Sequence, residues 1–163
     1  MTHDIVVIGI GQTLRGDDGA GLAAMQLWQQ FYPDSAGRPD LRVEMAELPG
    51  IGLLTLLEGA KAAVLVDAVR SGAPPGTIYR LSEADLSGAL DSSASAHGWG
   101  VAETLILGRQ LTPQQMPVSI QLVGIEAGEL GMGETLSPAI VAALPSAAEQ
   151  IELAVGHAIV LCS

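Results

Sequence analysis

The chain has 163 residues, enough for one domain with a buried core, and 48% of them are hydrophobic, which excludes an intrinsically disordered protein. Seven Lys+Arg oppose 18 Asp+Glu, giving a formal net charge of −11, and such an acidic surface repels phosphate backbones, so we expect no nucleic-acid partner. The only cysteine, Cys162, excludes an intrachain disulfide and any cysteine-rich metal cluster.

The first part of the chain predicts two strands and two helices. Residues 5–10 are an apolar, mostly β-branched run, typical of a buried first strand. Residues 19–31 carry apolar side chains at helical spacing and predict the first helix. Residues 33–40 contain two prolines and a glycine and predict a loop, after which residues 41–48 alternate well enough for a second strand. Residues 51–58 predict a short helix.

The middle of the chain predicts two more strands before another helix. Residues 62–69, AAVLVDAV, predict a central strand. Residues 71–76 include Pro-Pro-Gly and predict a turn, followed by a short strand at 77–81. Because this connection is too short for a crossover helix, we expect the second of these strands to run antiparallel to its predecessor. Residues 87–100 are rich in Ser, Ala and Gly and predict a loop, and residues 101–110 predict a helix.

The last part predicts one strand and a long helix. Residues 118–125 form the last predicted strand, and residues 127–135 form a glycine-rich loop. Ser137-Pro138 indicates a helix start, with Ser as N-cap and Pro at the first helical position. We expect this helix to continue towards Cys162 and Pro145 to kink or break it near its beginning.

The alternation of strands and helices predicts a layered α/β fold, and the absence of a repeat or linker predicts a single domain spanning residues 1–163. No window of about 18 uninterrupted apolar residues occurs, so we expect no membrane span. The opening residues have no basic stretch before their apolar run, so we expect a strand rather than a signal peptide, and a cytoplasmic protein.

The glycine-rich segment at residues 9–21 joins the first strand to the first helix and contains Asp17 and Asp18. A dinucleotide-binding loop needs G-x-G-x-x-G, but Leu14 occupies the third glycine position and two carboxylates would oppose a pyrophosphate. A structural role as N-cap or first-turn acid explains one of the pair, and we assign it to Asp17. Asp18 is a candidate metal ligand, with a second structural carboxylate as the alternative.

Asp67 and His97 are further candidate ligands. Asp67 interrupts an apolar strand, where an unpaired buried carboxylate costs several kcal/mol. At the carboxyl end of a central strand it would point into the crevice where α/β sheets bind ligands, although it could instead cap the following turn. His97 lies in a loop of small residues. Neutral imidazole is a common metal ligand, and the alternative is a solvated loop histidine.

These three candidates could meet at one sheet edge, because Asp18 follows the first strand, Asp67 ends the third, and the loop with His97 could fold back over the same edge. Asp18, Asp67 and His97 would form a mixed oxygen and nitrogen set, which suits a divalent first-row metal with open positions. The chain lacks a G-x-S-x-G motif, a plausible Cys–His pair and an H-E-x-x-H helix. The sequence therefore favours a metal-assisted site over a serine or cysteine nucleophile.

Five segments in order along the chain carry a family resemblance: GIGQTLRGDDGAG, VLVDAV with PGTIYRL, HGWGVAETL, IQLVGIE and TLSPAI. At these residues the chain closely resembles the hydrogenase maturation endopeptidases, which remove a C-terminal extension from the precursor of the nickel–iron hydrogenase large subunit. The resemblance implies a three-layer α/β/α sandwich of the phosphorylase/hydrolase-like type, with a five-stranded, mostly parallel mixed sheet.

The resemblance also implies that Asp18, Asp67 and His97 are the catalytic metal ligands. One departure is Gln12, where the family usually has Asn, and we expect its side chain to shape the loop by hydrogen bonding. We expect partner specificity to lie in the loops at residues 33–40 and 127–135.

The mechanism implied by the family begins with nickel that is already installed in the precursor, so the cofactor is nickel contributed by the substrate. We hypothesise that the three ligands approach this nickel and position the scissile peptide beside it. The metal could activate an attacking water, or one carboxylate could act as general base. The expected partner is the large-subunit precursor, with no nucleic acid and no membrane.

Two other functions stay open at this point. One is a different metal-dependent peptidase or amidase on the same fold, with its own resident metal. The other is a non-catalytic maturation chaperone that binds nickel or the precursor.

Overall fold

The computed structural model describes residues 3–12, 16–47, 50–88, 100–128 and 135–163. Within these residues five strands form one mixed sheet in the order β2-β1-β3-β5-β4. The strands are β1 (Ile5–Ile10), β2 (Leu41–Ala46), β3 (Ala62–Val69), β4 (Ile78–Ser82) and β5 (Ser119–Glu126). All neighbours in the sheet are parallel except β4, which is antiparallel to β5. The expected five-stranded, mostly parallel sheet is confirmed.

The strand predictions differ from the structure mainly in where β4 lies. β1 and β3 have the predicted bounds, β2 ends two residues earlier, and β4 and β5 are displaced by about one residue. β4 does run antiparallel to β3, but it pairs with β5, which lies between them. Chain neighbours in a mixed sheet need not be spatial neighbours, and the turn after β3 passes over the end of β5.

Helices cover both faces of the sheet. They are α1 (Ala20–Phe31), α2 (Pro33–Ala36), α3 (Ile51–Leu57), α4 (Glu83–Gly88), α5 (Val101–Leu111) and α6 (Pro138–Cys162). Alternate residues of β1 point to opposite faces: Ile5 and Val7 share a core with α1 and α6, and Val6 and Ile8 share one with α3 and α5. The three-layer α/β/α arrangement follows from this alternation.

Helix α1 is joined to α6 by a partly buried polar contact. The indole N–H of Trp28 donates to Glu152 Oε2 at 2.8 Å, and the hydroxyl of Ser35 donates to Glu152 Oε1 at 2.6 Å. The chain has few aromatic side chains, and small residues let these two helices pack closely. The buried alanines of the two helices are Ala20, Ala24, Ala147, Ala148, Ala154 and Ala158.

Two short helices are additions to the predicted elements. α2 lies inside the predicted 33–40 loop and begins with Pro33, whose fixed φ suits the first helical position. α4 follows β4 through a reciprocal cap, in which the N–H of Ser82 donates to Asp85 Oδ2 and the N–H of Asp85 donates to Ser82 Oγ. Residues 87–88, which were predicted to begin the loop at 87–100, are therefore helical. Residues 89–99 of that loop lie outside the described chain.

The C-terminal helix continues through Pro145, so of the two expected effects, a kink or a break, the break is wrong. Proline removes one backbone hydrogen bond, and burial of the inner face of α6 offsets that loss. By length and composition alone α6 could cross a membrane, but core helices of soluble proteins meet the same criterion. Residues along its length belong to the core, namely Ile140, Ala147, Ala148, Ile151, Ala154, Val155 and Ala158.

Replacing Trp28 with Phe should lower the free energy of unfolding by about 1–3 kcal/mol, because Glu152 loses the indole donor inside the α1–α6 interface. Denaturant unfolding followed by circular dichroism measures this change. Phe31→Ala is the control, since Phe31 is 55% exposed on the same helix and should change stability by about 0.5 kcal/mol or less. Equal losses in the two variants would contradict the proposed role of the Trp28–Glu152 bond.

Candidate functional site

The site is built where β1 ends and a 3-10 helix (Gly16–Gly19), which we call the acidic turn, leads into α1. Two glycines let this turn and the first residues of α1 lie directly on the strand ends. A Cβ atom on Gly11 would overlap the backbone oxygen of Asp18, and one on Gly21 would lie 2.6 Å from the carbonyl oxygen of Val66. Both positions therefore require glycine, because the close approach leaves no room for a side chain.

Asp18 and Asp67 are both buried at the carboxyl edge of the sheet, to which the parallel strands point. Asp18 Oδ2 accepts the backbone N–H of Gln12 at 3.0 Å. Asp67 lies two residues from both Leu65 and Val69 along β3, so it shares their face of the sheet, which α3 and α5 cover. The acidic turn packs against β3. The structure thus brings two of the three predicted ligands to one edge.

The hydrogen bond to Asp18 comes from the backbone of Gln12, not from its side chain. Any residue other than proline supplies this donor. This contact therefore does not depend on having Gln in place of the family's usual Asn.

His97, the third predicted ligand, lies outside the described residues. The described chain resumes at residue 100, immediately before α5. The chain after α5 joins the sheet where its strands begin, since the N–H of Val118 donates to the carbonyl of Lys61 at 2.8 Å.

Asp17 has the predicted structural kind of role and lies in the first turn of the 3-10 helix, but the expectation that it caps α1 is wrong. The N-cap residue is Gly19, and it makes no side-chain cap hydrogen bond. The buried carboxylate of Asp17 accepts the backbone N–H of Gly128 at 2.9 Å, and the backbone N–H and hydroxyl of Ser137, each at 2.7 Å. Ser137 does precede the first residue of α6, but its hydroxyl donates to Asp17 and makes no cap bond to α6.

Glu126 is a buried carboxylate that the sequence analysis missed, because it lies one residue beyond the predicted last strand. Glu126 Oε1 accepts the backbone N–H groups of Ser71 and Gly72 at 2.9 and 3.1 Å, and Oε2 accepts the Ser71 hydroxyl at 2.8 Å. Arg70 in the same turn donates to the carbonyl of Gly128 at 3.4 Å. Glu126 therefore fixes the turn after β3, and Arg70 links that turn to the end of β5.

The described part of the site contains buried carboxylates but not a complete set of metal ligands. Within residues 3–12, 16–47, 50–88, 100–128 and 135–163, no three His, Cys, Asp or Glu side chains are grouped to hold a metal ion. Asp18 and Asp67 supply carboxylate oxygens at the carboxyl edge, and buried carboxylates favour a nearby cation because it offsets their desolvation. The arrangement suits binding a cation that approaches from this edge.

Cys162 lies far from this site. It is near the end of α6, and its thiol is 4.0 Å from the carbonyl of Asp4, which precedes β1 at the opposite edge of the sheet. Burial raises the pKa of the Cys162 thiol, and the carboxylate of Asp4 raises it further. The thiol is therefore neither near the carboxylates nor activated as a nucleophile.

The chain is similar in sequence and fold to proteins of known function. A sequence model of the hydrogenase maturation proteases matches residues 48–154. The chain belongs to this family. The hydrogenase expression/formation protein HupD of Thiocapsa roseopersicina is 31% identical over 139 residues, which cover 84% of this chain and 61% of that relative. This chain therefore spans less than two thirds of the length of HupD.

Solved structures of the family share the fold. The NiFe hydrogenase maturation protease HybD from Thermococcus kodakarensis is 27% identical, with a TM-score of 0.68 over 92% of this chain and 98% of that chain. The hydrogenase maturating endopeptidase HybD from E. coli is 25% identical, with a TM-score of 0.72 over 90% of this chain and 88% of that chain. The α/β architecture and the family are thus consistent with each other.

The Cys162 thiol should react with iodoacetamide only at higher pH than an unperturbed cysteine, because the thiolate is the reacting form and a raised pKa lowers its fraction at any given pH. The rate of alkylation as a function of pH, followed by mass spectrometry, measures this shift. Cys162 is the sole cysteine, so the same protein unfolded in urea is a matched control. Identical profiles for the folded and unfolded chain would contradict the assignment.

Proposed function

We propose that this protein is an endopeptidase that removes the C-terminal extension of a nickel–iron hydrogenase large-subunit precursor after nickel insertion. The observation that carries the proposal is the burial of Asp18 and Asp67 at the carboxyl edge in a hydrogenase maturation protease. The names of the two HybD proteins, a NiFe hydrogenase maturation protease and a maturating endopeptidase, support the substrate class and the reaction.

In this proposal Asp18, Asp67 and His97 bind the nickel that the precursor carries. Two carboxylates and an imidazole form a mixed set that suits a divalent first-row metal while leaving coordination positions for the substrate. The buried position of Asp18 and Asp67 strengthens their attraction to a cation, since little water screens it. Metal dependence in this enzyme therefore means dependence on nickel in the substrate.

The chain's own residues then orient the scissile peptide. Precursor-bound nickel supplies charge stabilisation at the peptide carbonyl. Asp18 is held by the N–H of Gln12, which fixes one carboxylate oxygen and directs the ligand set relative to the strand ends. A carboxylate oxygen of Asp18 or Asp67 that does not bind the metal takes the proton of the attacking water as general base.

The charge of the protein fits such a substrate. The net charge of −11 attracts a metal cation or a basic polypeptide and repels nucleic acid. We accordingly propose the large-subunit precursor as the partner, with no nucleic acid and no membrane, and a cytoplasmic location.

Asp67→Asn and His97→Ala should each lower the rate of precursor shortening by about 100-fold or more, because each removes a group that acts at the reacting centre. The assay mixes purified protein with nickel-loaded precursor and follows the precursor mass. His157→Ala is the matched control, since His157 is an exposed histidine on α6 and should leave the rate unchanged.

The same assay separates the alternatives. Nickel-free precursor should not be shortened, and the purified protease should contain no stoichiometric metal. Tight stoichiometric zinc would favour a peptidase with a resident metal. Binding of the precursor without shortening would favour a chaperone, and normal cleavage by His97→Ala would exclude His97 from the site.

A further inference from the structure

The acidic turn contains two adjacent buried carboxylates with different partners. Asp18 accepts the N–H of Gln12, six residues earlier in the chain. Asp17 instead accepts hydrogen bonds from Gly128 and Ser137, which are 111 and 120 residues away in sequence. Gly128 follows β5 and Ser137 precedes α6, so Asp17 holds both ends of the connection between these elements.

The backbone connects the contacts of Asp17 directly to Asp18. On the β1 side, the backbone of Asp18 lies directly against Gly11. On the other side, Asp17 is the residue that ties the turn to Gly128 and Ser137, and Gly128 itself packs against Pro75. Since Asp17 and Asp18 are consecutive, a backbone shift at Asp17 would be transmitted to Asp18.

We infer that Asp17 is a positioning residue for the cleavage reaction: by fastening the acidic turn to Gly128 and Ser137, it holds the carboxylate of Asp18 in the geometry that acts on the substrate. This inference deepens the proposed function and rests on it. Asp17 does not touch the substrate or its metal. It acts through Asp18.

The chain contains a chemically matched control in Glu126. Like Asp17, Glu126 is buried at the carboxyl edge and accepts two backbone N–H groups and one serine hydroxyl. Glu126 also accepts the Tyr79 hydroxyl at the longer distance of 3.5 Å. Its partners, Ser71 and Gly72, lie in the turn after β3 and not in the acidic turn. Replacing either carboxylate with an amide places an N–H donor among N–H and O–H donors, so the two changes disturb folding in the same way.

The test compares Asp17→Asn, Asp17→Glu and Glu126→Gln with the wild-type chain, using nickel-loaded precursor at a temperature where every variant is folded. Asp17→Asn and Glu126→Gln should lower Tm by similar amounts. Asp17→Asn should lower kcat by about tenfold to 100-fold, because a small displacement of a reacting group has an effect of this size. Glu126→Gln should lower kcat less, because its contacts are with the turn after β3 and not with the acidic turn. KM should change little, and Asp17→Glu should restore part of kcat because it keeps the carboxylate acceptor.

An equal loss of kcat in Asp17→Asn and Glu126→Gln, a loss confined to KM, or an unchanged kcat in Asp17→Asn would overturn the inference. A second measurement applies even if the wild-type chain fails to cleave the precursor, which would refute the proposed function. Amide hydrogen exchange of Gln12, whose N–H is bound to Asp18, should accelerate about tenfold in Asp17→Asn and stay unchanged in Glu126→Gln. Unchanged exchange at Gln12 in both variants would also refute a positioning role.

Discussion

The burial of acidic side chains at one edge of the sheet is the constraint on which the rest of this site depends. Among the described residues, every buried acidic side chain lies at the carboxyl edge: Asp17, Asp18, Asp67 and Glu126. A carboxylate removed from water costs several kcal/mol unless donors or a cation compensate it. Backbone N–H groups provide much of this compensation at Asp17 and Glu126. The loops that carry these N–H groups must therefore lie within hydrogen-bond distance of the carboxylates. The positions of the loops are therefore a consequence of charge burial.

The sequence predicts those parts of the fold that depend on local hydrophobic pattern. β1 and β3 are parallel strands buried on both faces, and such strands appear in a sequence as continuous apolar runs, so their bounds match the predictions. The candidates Asp18 and Asp67 were identifiable for the same reason, because a carboxylate that follows or interrupts such a run is conspicuous. Their meeting at one edge follows from the common direction of β1 and β3.

The remaining features depend on contacts that no local pattern contains. Ser137-Pro138 correctly marks the start of α6, but the Ser137 hydroxyl is bound to Asp17, so a tertiary partner replaces the local cap. α4 has a visible capping pair, Ser82 and Asp85, yet it is too short to show helical periodicity. The position of β4 beside β5 was likewise not predictable. The short turn between β3 and β4 indicates that β4 runs antiparallel to β3, but the order of strands in the sheet depends on packing.

The geometry of the acidic turn explains how neighbouring aspartates can have separate roles. A 3-10 helix has three residues per turn, so consecutive side chains diverge by about 120° around its axis. Asp17 can therefore face Gly128 and Ser137 while Asp18 faces the end of β1 and the carboxyl edge. In an extended segment the two side chains would point in opposite directions. The short 3-10 helix, permitted by the close approach at Gly11, thus gives one carboxylate a structural role and leaves its equally buried neighbour at the carboxyl edge.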